Sequence, residues 1–130
     1  MSEQISPDKI SSAVRDYFLA IRAMDADAFA NTFAEDGTTF DPVGAPGITG
    51  RAAIREFLQA ICKNFETVGL TEDAVFIAGS GAAVKWTGRG VSSSGKVVKF
   101  EGVDVFEMNE DGKIQTLRAY WNPTEMIAQL

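Results

Sequence analysis

Apolar side chains recur at helical spacing near the start of the chain. Ser6-Pro7-Asp8 has the composition of a helix start, with an N-cap residue, a proline at the first helical position and an acid in the first turn. The apolar positions that follow are three or four residues apart, as on the buried face of an amphipathic helix. They are Ile10, Ala13, Val14, Tyr17, Phe18 and Ile21. We therefore predict a first helix that packs one face into a core.

A second, shorter helix is predicted to begin near Asp25 or Asp27, because an aspartate can cap the free N–H groups of a first turn. Phe29 and Phe33 are four residues apart and would share one face of this helix. Gly37 is the first residue that interrupts the pattern, so we expect the helix to end before it.

A stretch rich in glycine and proline precedes a third predicted helix. Residues 38–41 read as a short extended segment, because Pro42 disfavours helical backbone in the residue before it. Residues 44–50 are predicted to be a loop. Thr49 is the expected N-cap of the third helix, whose apolar face would contain Ala53, Ile54, Phe57, Leu58 and Ile61.

From about Val68 the apolar positions alternate, which is typical of strands with one buried face. Two hairpin turns are predicted, at residues 92–95 and 109–112, so that residues 96–108 and 113–121 form the last two strands. Three helices followed by hairpin-connected strands indicate an α+β fold. We expect a strongly curved, mostly antiparallel sheet with the helices packed on one face, and a concave space that can form an apolar pocket.

The composition limits the chemistry more than it limits the fold. The chain has 130 residues, which is enough for one domain, and we predict a single domain over residues 1–130. With no His and one Cys, the chain has no Ser-His or Cys-His nucleophile pair, no His metal ligand and no internal disulfide. The carboxylates are not spaced as metal ligands, so we expect no metal. Acid–base chemistry must therefore use carboxylates, Tyr or Lys.

The net charge and hydropathy exclude several classes of partner. A net charge of −6 argues against a nucleic-acid binder, which usually carries a basic surface. No apolar run approaches the length of a membrane-spanning helix, of about 20 residues. Residues 1–4 do not begin a basic region followed by an apolar run, so no secretory signal is expected. The chain is predicted to be cytoplasmic, with no membrane partner.

Asp104 is the most unusual polar residue, because it lies in the middle of a predicted strand with Val on both sides. An unpaired carboxylate buried there would be costly, and the group would instead stay protonated and act as a hydrogen-bond donor. Alternatively, Asp104 lies at a sheet edge or pairs with Lys85 or Arg118.

Two further polar residues allow a structural and a functional interpretation. Tyr17 lies on the apolar face of the first helix, where it is either a core residue or a hydroxyl directed into a pocket. Asp41 precedes Pro42, where it either starts a turn or acts as a carboxylate base at the end of an extended segment.

Several blocks of sequence resemble the Δ5-3-ketosteroid isomerases, within the superfamily of nuclear-transport-factor-2-like folds that includes the SnoaL-like polyketide cyclases. The blocks are FAEDG at 33–37 with DPVG at 41–44, GRAAIREF at 50–57, and VDVF at 103–106 with GKI at 112–114 and AYW at 119–121. The specific part of the resemblance is Tyr17, Asp41 and Asp104, which match the catalytic residues of the isomerases in type, order and separation.

The resemblance implies a cone-shaped fold with an apolar pocket and a cofactor-independent isomerase reaction. Asp41 would be the base that moves a proton between two carbons of an unsaturated ketone. Tyr17 and a protonated Asp104 would hold the dienolate oxygen, and this family is itself the standard example of a carboxylic acid kept neutral at pH 7. The partners implied are a small, apolar, steroid-like ketone and a second copy of the chain in a homodimer.

The resemblance also implies residues that line the pocket, and it has two departures. The lining residues would be Val43, Phe57, Trp86, Phe106 and Trp121, although each could equally be ordinary core. Where many isomerases have tyrosines that brace the oxyanion tyrosine, this chain has Phe33 and Leu58. Two alternatives therefore stay open: a SnoaL-like cyclase or dehydratase of an apolar carbonyl compound, and a non-catalytic binder of an apolar ligand.

Overall fold

The computed structural model describes residues 5–130, so the start of the chain, where the absence of a secretory signal is predicted, lies outside the described residues. Helices and strands follow one another in the order α1 (Pro7–Arg22), α2 (Ala26–Asn31), β1 (Phe33–Phe40), β2 (Ile48–Thr49), α3 (Arg51–Cys62), β3 (Phe65–Ala78), β4 (Gly81–Ser92), β5 (Val97–Met108), β6 (Ile114–Tyr120) and α4 (Pro123–Ile127).

The first helix begins where the sequence predicts. The Ser6 hydroxyl accepts a hydrogen bond from the Lys9 amide at 3.2 Å, and Pro7 is the first helical residue. All six residues of the predicted apolar face are buried. This face packs onto the sheet, and it therefore brings Tyr17 to the inner side of the fold.

The second helix is shorter than predicted, and the placement of Phe33 in it is wrong. Asp25 caps the helix by accepting from the Ala28 amide at 3.0 Å, but the helix ends at Asn31. Phe33 begins β1, where it is aligned with Ile114 of β6. The Ile114 amide donates to the Thr32 carbonyl at 2.9 Å, so pairing with a distant strand draws the chain out of the helix.

The N-cap of the third helix lies one residue later than predicted. Gly50 is the N-cap, with φ of 93°, a conformation that glycine adopts without strain. Thr49 lies in β2 instead, and its hydroxyl is 2.9 Å from the hydroxyl of Thr38 on β1. The predicted capping role of Thr49 is therefore wrong, because strand pairing uses that side chain.

The six strands form one mixed sheet in the order β2-β1-β6-β5-β4-β3. Four of the five neighbouring pairs are antiparallel, as predicted, and β1 with β6 is the parallel pair. The two predicted hairpin turns join β4 to β5 and β5 to β6. The sheet is not closed, since β2 and β3 lie at its two edges.

A fourth short helix, α4, follows β6 and was not predicted from the pattern of apolar residues. The Asn122 side chain caps it by accepting from the Thr124 amide at 3.0 Å, and Pro123 is its first residue. The expectation of three helices is therefore corrected to four in the part of the chain that the structure describes. Within residues 5–130, no helix is both long and apolar enough to cross a membrane.

The core lies between the helices and one face of the sheet. Its largest fully buried side chains come from α1, α2, β1, α3 and the inner face of β4 to β6, and they include Phe18, Phe29, Phe33, Ile54, Phe106 and Leu117. Helices on one face of the sheet confirm the predicted α+β arrangement. This packing leaves a cavity between the helices and the inner face of the sheet.

Candidate active site

The cavity has a volume of about 620 Å³ and a largely apolar lining. Tyr17 reaches it from α1, Asp41 from the end of β1 and Asp104 from β5. The structure therefore brings together the three residues that the sequence singled out, although they are far apart in the chain. Cavities of this size with a few convergent polar groups are typical ligand sites.

Asp104 is buried in the centre of the sheet. It lies between Val84 of β4 and Ala119 of β6, and 1% of its surface is exposed. Neither carboxyl oxygen has a hydrogen-bond partner among residues 5–130. The alternative placements of Asp104, at a sheet edge or paired with Lys85 or Arg118, are therefore wrong.

The environment of Asp104 keeps it neutral. Burial raises its pKa well above the ordinary value, the nearby carboxyl of Asp41 raises it further, and the Trp86 indole opposes the rise. A protonated carboxylic acid donates a hydrogen bond, so Asp104 offers a donor to the cavity rather than a charge.

Asp41 has a different environment in the same cavity. It directly follows β1, and its Oδ1 accepts a hydrogen bond from the Trp121 indole at 2.6 Å. Burial raises the pKa of Asp41 to about 6, while the Trp121 bond counteracts the rise. With that pKa, Asp41 is about 90% ionised at pH 7, so it is available as a proton acceptor.

Tyr17 is enclosed by aromatic rings. Its ring centroid is 5.1 Å from those of Phe18 and Phe29, 5.2 Å from that of Phe106 and 6.1 Å from that of Phe33. Burial, followed by the nearby carboxyl groups of Asp104 and Asp41, raises the pKa of the Tyr17 hydroxyl well above its ordinary value. The hydroxyl stays protonated and is a hydrogen-bond donor at the cavity wall.

This combination of groups suits reactions that pass through an enolate. An ionised carboxylate can take a proton from a carbon next to a ketone only if the oxygen that becomes negative is stabilised. Two neutral donors in a site from which water is excluded provide that stabilisation. Within residues 5–130, no three His, Cys, Asp or Glu side chains are grouped so as to hold a metal ion.

The five residues expected to line the pocket divide into two groups. Phe57, Trp86 and Trp121 line the cavity. Val43 and Phe106 do not lie among the lining residues. Val43 lies beyond the end of β1, bound through its amide to the Ala119 carbonyl at 2.9 Å, and is 41% exposed. Phe106 is 1% exposed and packs in the core, in an edge-to-face contact with the Tyr17 ring.

One aromatic wall of the cavity consists of Trp86, Trp121 and Phe100, of which Phe100 is not among the residues expected from the sequence. The ring centroid of Phe100 is 5.9 Å from that of Trp86 and 5.4 Å from that of Trp121. The signal was available in the sequence, since Phe100 has the same parity as Asp104 on β5 and therefore faces the same side of the sheet. The wall continues the apolar lining outward from Asp104.

Comparison with known proteins places this arrangement in a family. The SnoaL-like domain matches residues 14–117, which is most of the chain. The chain belongs to the SnoaL-like family. Asp41, at the end of β1, and Asp104, on β5, both lie within the matched region.

One curated protein and two solved structures are similar to this chain over most of its length. The SnoaL-like chain is 35% identical to a steroid Δ-isomerase of Nocardioides simplex over 120 residues, covering 92% of this chain and 94% of the relative. It is 29% identical to the epoxide hydrolase/cyclase-like enzyme SalBIII, which acts in pyran ring formation in salinomycin, with a TM-score of 0.80 and coverage of 91% and 94%. An LEH-like epoxide hydrolase of M. tuberculosis shares the fold, with a TM-score of 0.79, 20% identity and coverage of 95% and 90%.

The SnoaL-like chain has no hydroxyl at the two positions where bracing tyrosines were expected. Phe33 is fully buried in the core, and Leu58 lines the cavity. Neither side chain can donate to or accept from the Tyr17 hydroxyl. Tyr17 therefore lies in a more apolar environment than a tyrosine relay would provide.

The mouth of the cavity is formed by segments that the sequence did not identify as functional. Met126, Ile127 and Leu130 contribute apolar side chains, and residues 92–94 of the β4–β5 turn contribute serines. Gln129 ties this C-terminal segment to β5, since it accepts from the Lys99 amide at 2.8 Å and donates to the Lys99 carbonyl at 2.7 Å. The mouth thus combines apolar side chains with serine hydroxyls.

Proposed function

We propose that this SnoaL-like protein is an isomerase that moves a β,γ-double bond of an apolar ketone, such as a 3-oxo-Δ5-steroid, into conjugation with the carbonyl group. The observation that carries the proposal is the pair of carboxyl groups in one apolar cavity with different protonation. Asp41 has a donor partner and a pKa of about 6, whereas Asp104 has no partner in the described part of the chain and a pKa well above its ordinary value. The 35% identity to a steroid Δ-isomerase over nearly the whole chain supports the same reaction class.

In the proposed reaction, the Asp41 carboxylate takes the proton from the carbon between the ketone and the double bond. The electrons of that C–H bond form a dienolate, whose negative oxygen accepts hydrogen bonds from Tyr17 and from the neutral Asp104. Asp41 then returns the same proton two carbons along the conjugated system. Atoms and charge balance over the cycle, and the enzyme is regenerated.

The test is turnover of a 3-oxo-Δ5-steroid, followed by the growth of enone absorbance. Asp41→Asn removes the base and is expected to abolish turnover. Tyr17→Phe removes one of two donors and should lower kcat about 10²- to 10³-fold, the usual loss for one oxyanion donor. If the wild-type protein gives no turnover above buffer, or Asp41→Asn retains the full rate, the proposal is wrong.

A second candidate is a cyclase or dehydratase of a longer apolar carbonyl compound, and the extent of the cavity favours it. The cavity runs from Asp104 to the turn after β4, and the seven residue-to-residue steps from Asp104 back to Val97 give β5 a length of up to about 23 Å there. That length exceeds a four-ring nucleus. Turnover of an extended polyketide-like ketone, with none of the steroid, would favour this candidate.

The third candidate function is non-catalytic binding of an apolar ligand. It predicts tight binding of an apolar ketone without any chemical change, even in the presence of an ionised Asp41. Mass analysis of the recovered ligand, together with exchange of its α-hydrogens in deuterated water, separates binding from catalysis. Exchange that depends on Asp41 would contradict the binding role.

We also propose that the protein is a cytoplasmic homodimer that associates through the outer face of the sheet. Phe76, Ala83, Val105 and Arg118 are aligned across four strands and therefore share that face. Phe76 is 69% exposed and Val105 is 37% exposed. A row of this kind is typical of an interface, because exposed apolar side chains on a sheet face favour association.

Light scattering tests the dimer. Val105→Glu places a charge in the row and should give a monomer. Leu19→Glu, at an exposed apolar position on α1, is the matched control and should leave the mass unchanged. A monomeric wild-type protein would refute the dimer without affecting the isomerase proposal.

A further inference from the structure

The indole of Trp86 is the second buried polar group of the cavity without a partner. The residue is 2% exposed, and its Nε1 has no hydrogen-bond partner among residues 5–130. Burying an N–H group without a partner is costly, so such groups are rare in folded proteins. The described lining of the cavity thus includes one N–H donor, on Trp86, and two carboxyl oxygens, on Asp104, that have no hydrogen-bond partner.

Strand pairing places these two groups side by side. Val84 lies opposite Asp104, and Trp86 lies opposite Gly102, so Trp86 and Asp104 are diagonal neighbours on the inner face of the sheet. Diagonal positions are about 7–8 Å apart at the backbone, within reach of an indole. The indole also opposes the rise in the pKa of Asp104, in agreement with this placement.

Packing fixes the orientation of the indole. A Cβ at position 102 would lie 2.6 Å from Cζ2 of Trp86, so the absence of a side chain at Gly102 lets the indole lie against β5. The ring centroids of Phe100 and Trp121 are 5.9 Å and 6.1 Å away. The indole is therefore held on several sides, and its N–H has little freedom to turn elsewhere.

We propose that Trp86 is a positioning residue of the oxyanion site, whose indole N–H donates to the carbonyl oxygen of neutral Asp104 and thereby directs the acid O–H toward the substrate oxygen. The proposal rests on the proposed function, in which Asp104 is a donor to that oxygen. It gives the buried N–H a partner, and it leaves one Asp104 oxygen for the substrate.

This role differs from that of an apolar wall residue. A wall residue contributes equally to every ligand that fills the cavity, whether or not the ligand carries an oxygen. A positioning residue contributes only when a ligand oxygen meets Asp104. The two roles are separated by a pair of ligands that differ in one hydroxyl group.

The experiment measures the dissociation constants of 2-naphthol and naphthalene for the wild type and for Trp86→Phe, which keeps an aromatic ring but loses the N–H. Loss of packing affects both ligands and cancels in the ratio of their dissociation constants. We expect the preference for 2-naphthol to fall about tenfold in Trp86→Phe, which is the usual net effect of losing one buried hydrogen bond between neutral groups. An unchanged preference would overturn the proposal.

The same measurement in an Asp104→Ala background shows through which group the indole acts. If Trp86 acts through Asp104, Trp86→Phe has no further effect on the preference once Asp104 is removed. A tenfold loss that persists in this background would mean that the indole contacts the ligand oxygen directly, and the positioning role would be wrong.

The binding cycle does not depend on turnover. A wild-type protein that shows the predicted coupling but does not isomerise the steroid would refute the proposed function and leave the role of Trp86 in orienting Asp104 intact. A protein that isomerises the steroid but shows no coupling between Trp86 and Asp104 would support the proposed function and refute the positioning role of Trp86.

Discussion

Asp41→Asn is expected to stabilise the folded protein at neutral pH while it removes the proposed base. The folded state raises the pKa of Asp41 from 3.8 to about 6, chiefly through burial. A shift of about 2 units at 1.36 kcal/mol per unit corresponds to about 3 kcal/mol by which ionised Asp41 destabilises the folded state. Asn is neutral at every pH and still offers an oxygen to the Trp121 indole.

The expected gain depends on pH in a defined direction. Between pH 3.8 and about 6, the folded state binds more protons at Asp41 than the unfolded state does, so this residue makes stability fall as pH rises. Asn has no such dependence. The gain in free energy of unfolding should be near zero below pH 3.8, grow through the window and level off at about 3 kcal/mol above pH 6.

Urea denaturation of both proteins at a series of pH values measures this gain. Asp16→Asn, at an exposed carboxylate on α1, is the matched control and should change stability by less than about 0.5 kcal/mol. A gain that does not vary with pH, or an Asp41→Asn protein less stable than the wild type above pH 6, would refute the reasoning.

Three other outcomes follow from the geometry of the site and its mouth. The rate of the wild-type enzyme should fall below about pH 6, where Asp41 becomes protonated, and should stay level through neutral pH because Asp104 keeps its proton; a pH–rate profile measures both. Gly102→Ala should lower stability by about 1–3 kcal/mol in thermal unfolding, since the added methyl group would lie 2.6 Å from the Trp86 ring; an unchanged Tm would contradict this. Gln129→Ala should loosen α4 and speed ligand dissociation without changing the rate of the chemical step; identical dissociation rates would show that α4 does not control the mouth.

The elements that could be predicted from the sequence are those set by local interactions. The Ser6-Pro7 start fixes the beginning of α1, and its apolar face fixes which side is buried. The two hairpin turns join strands that are adjacent in the chain, so their positions follow from the turn residues alone. These signals need no knowledge of distant parts of the fold.

The errors arose where distant parts of the chain determine the structure. Phe33 has helical spacing from Phe29, yet parallel pairing with β6, about 80 residues away, places it in a strand. Thr49 has the properties of a cap, but it pairs with Thr38 across β1 and β2. Helix α4 was missed although Asn122-Pro123 is a recognisable helix start, because the helix has no buried apolar face to give it a period.

The polar residues of the site could be predicted from the sequence, but the contacts between them could not. Asp104 stands out because a carboxyl between two valines in a strand is unusual, and its lack of partners agrees with that reasoning. The hydrogen bond from Trp121 to Asp41 joins residues 80 positions apart and cannot be seen in a local pattern. Val43 and Phe106 lie outside the cavity lining because one follows the chain outward after β1 and the other points into the core.

The most direct test of the proposed oxyanion site is a crystal structure with bound 2-naphthol, whose oxygen mimics that of the dienolate. We expect the naphthol oxygen to lie about 2.5–3.0 Å from both the Tyr17 hydroxyl and an Asp104 carboxyl oxygen, with the Asp41 carboxylate over the ring. A naphthol bound with its oxygen toward the serines of the cavity mouth, beyond hydrogen-bond distance of Tyr17 and Asp104, would contradict the proposed site.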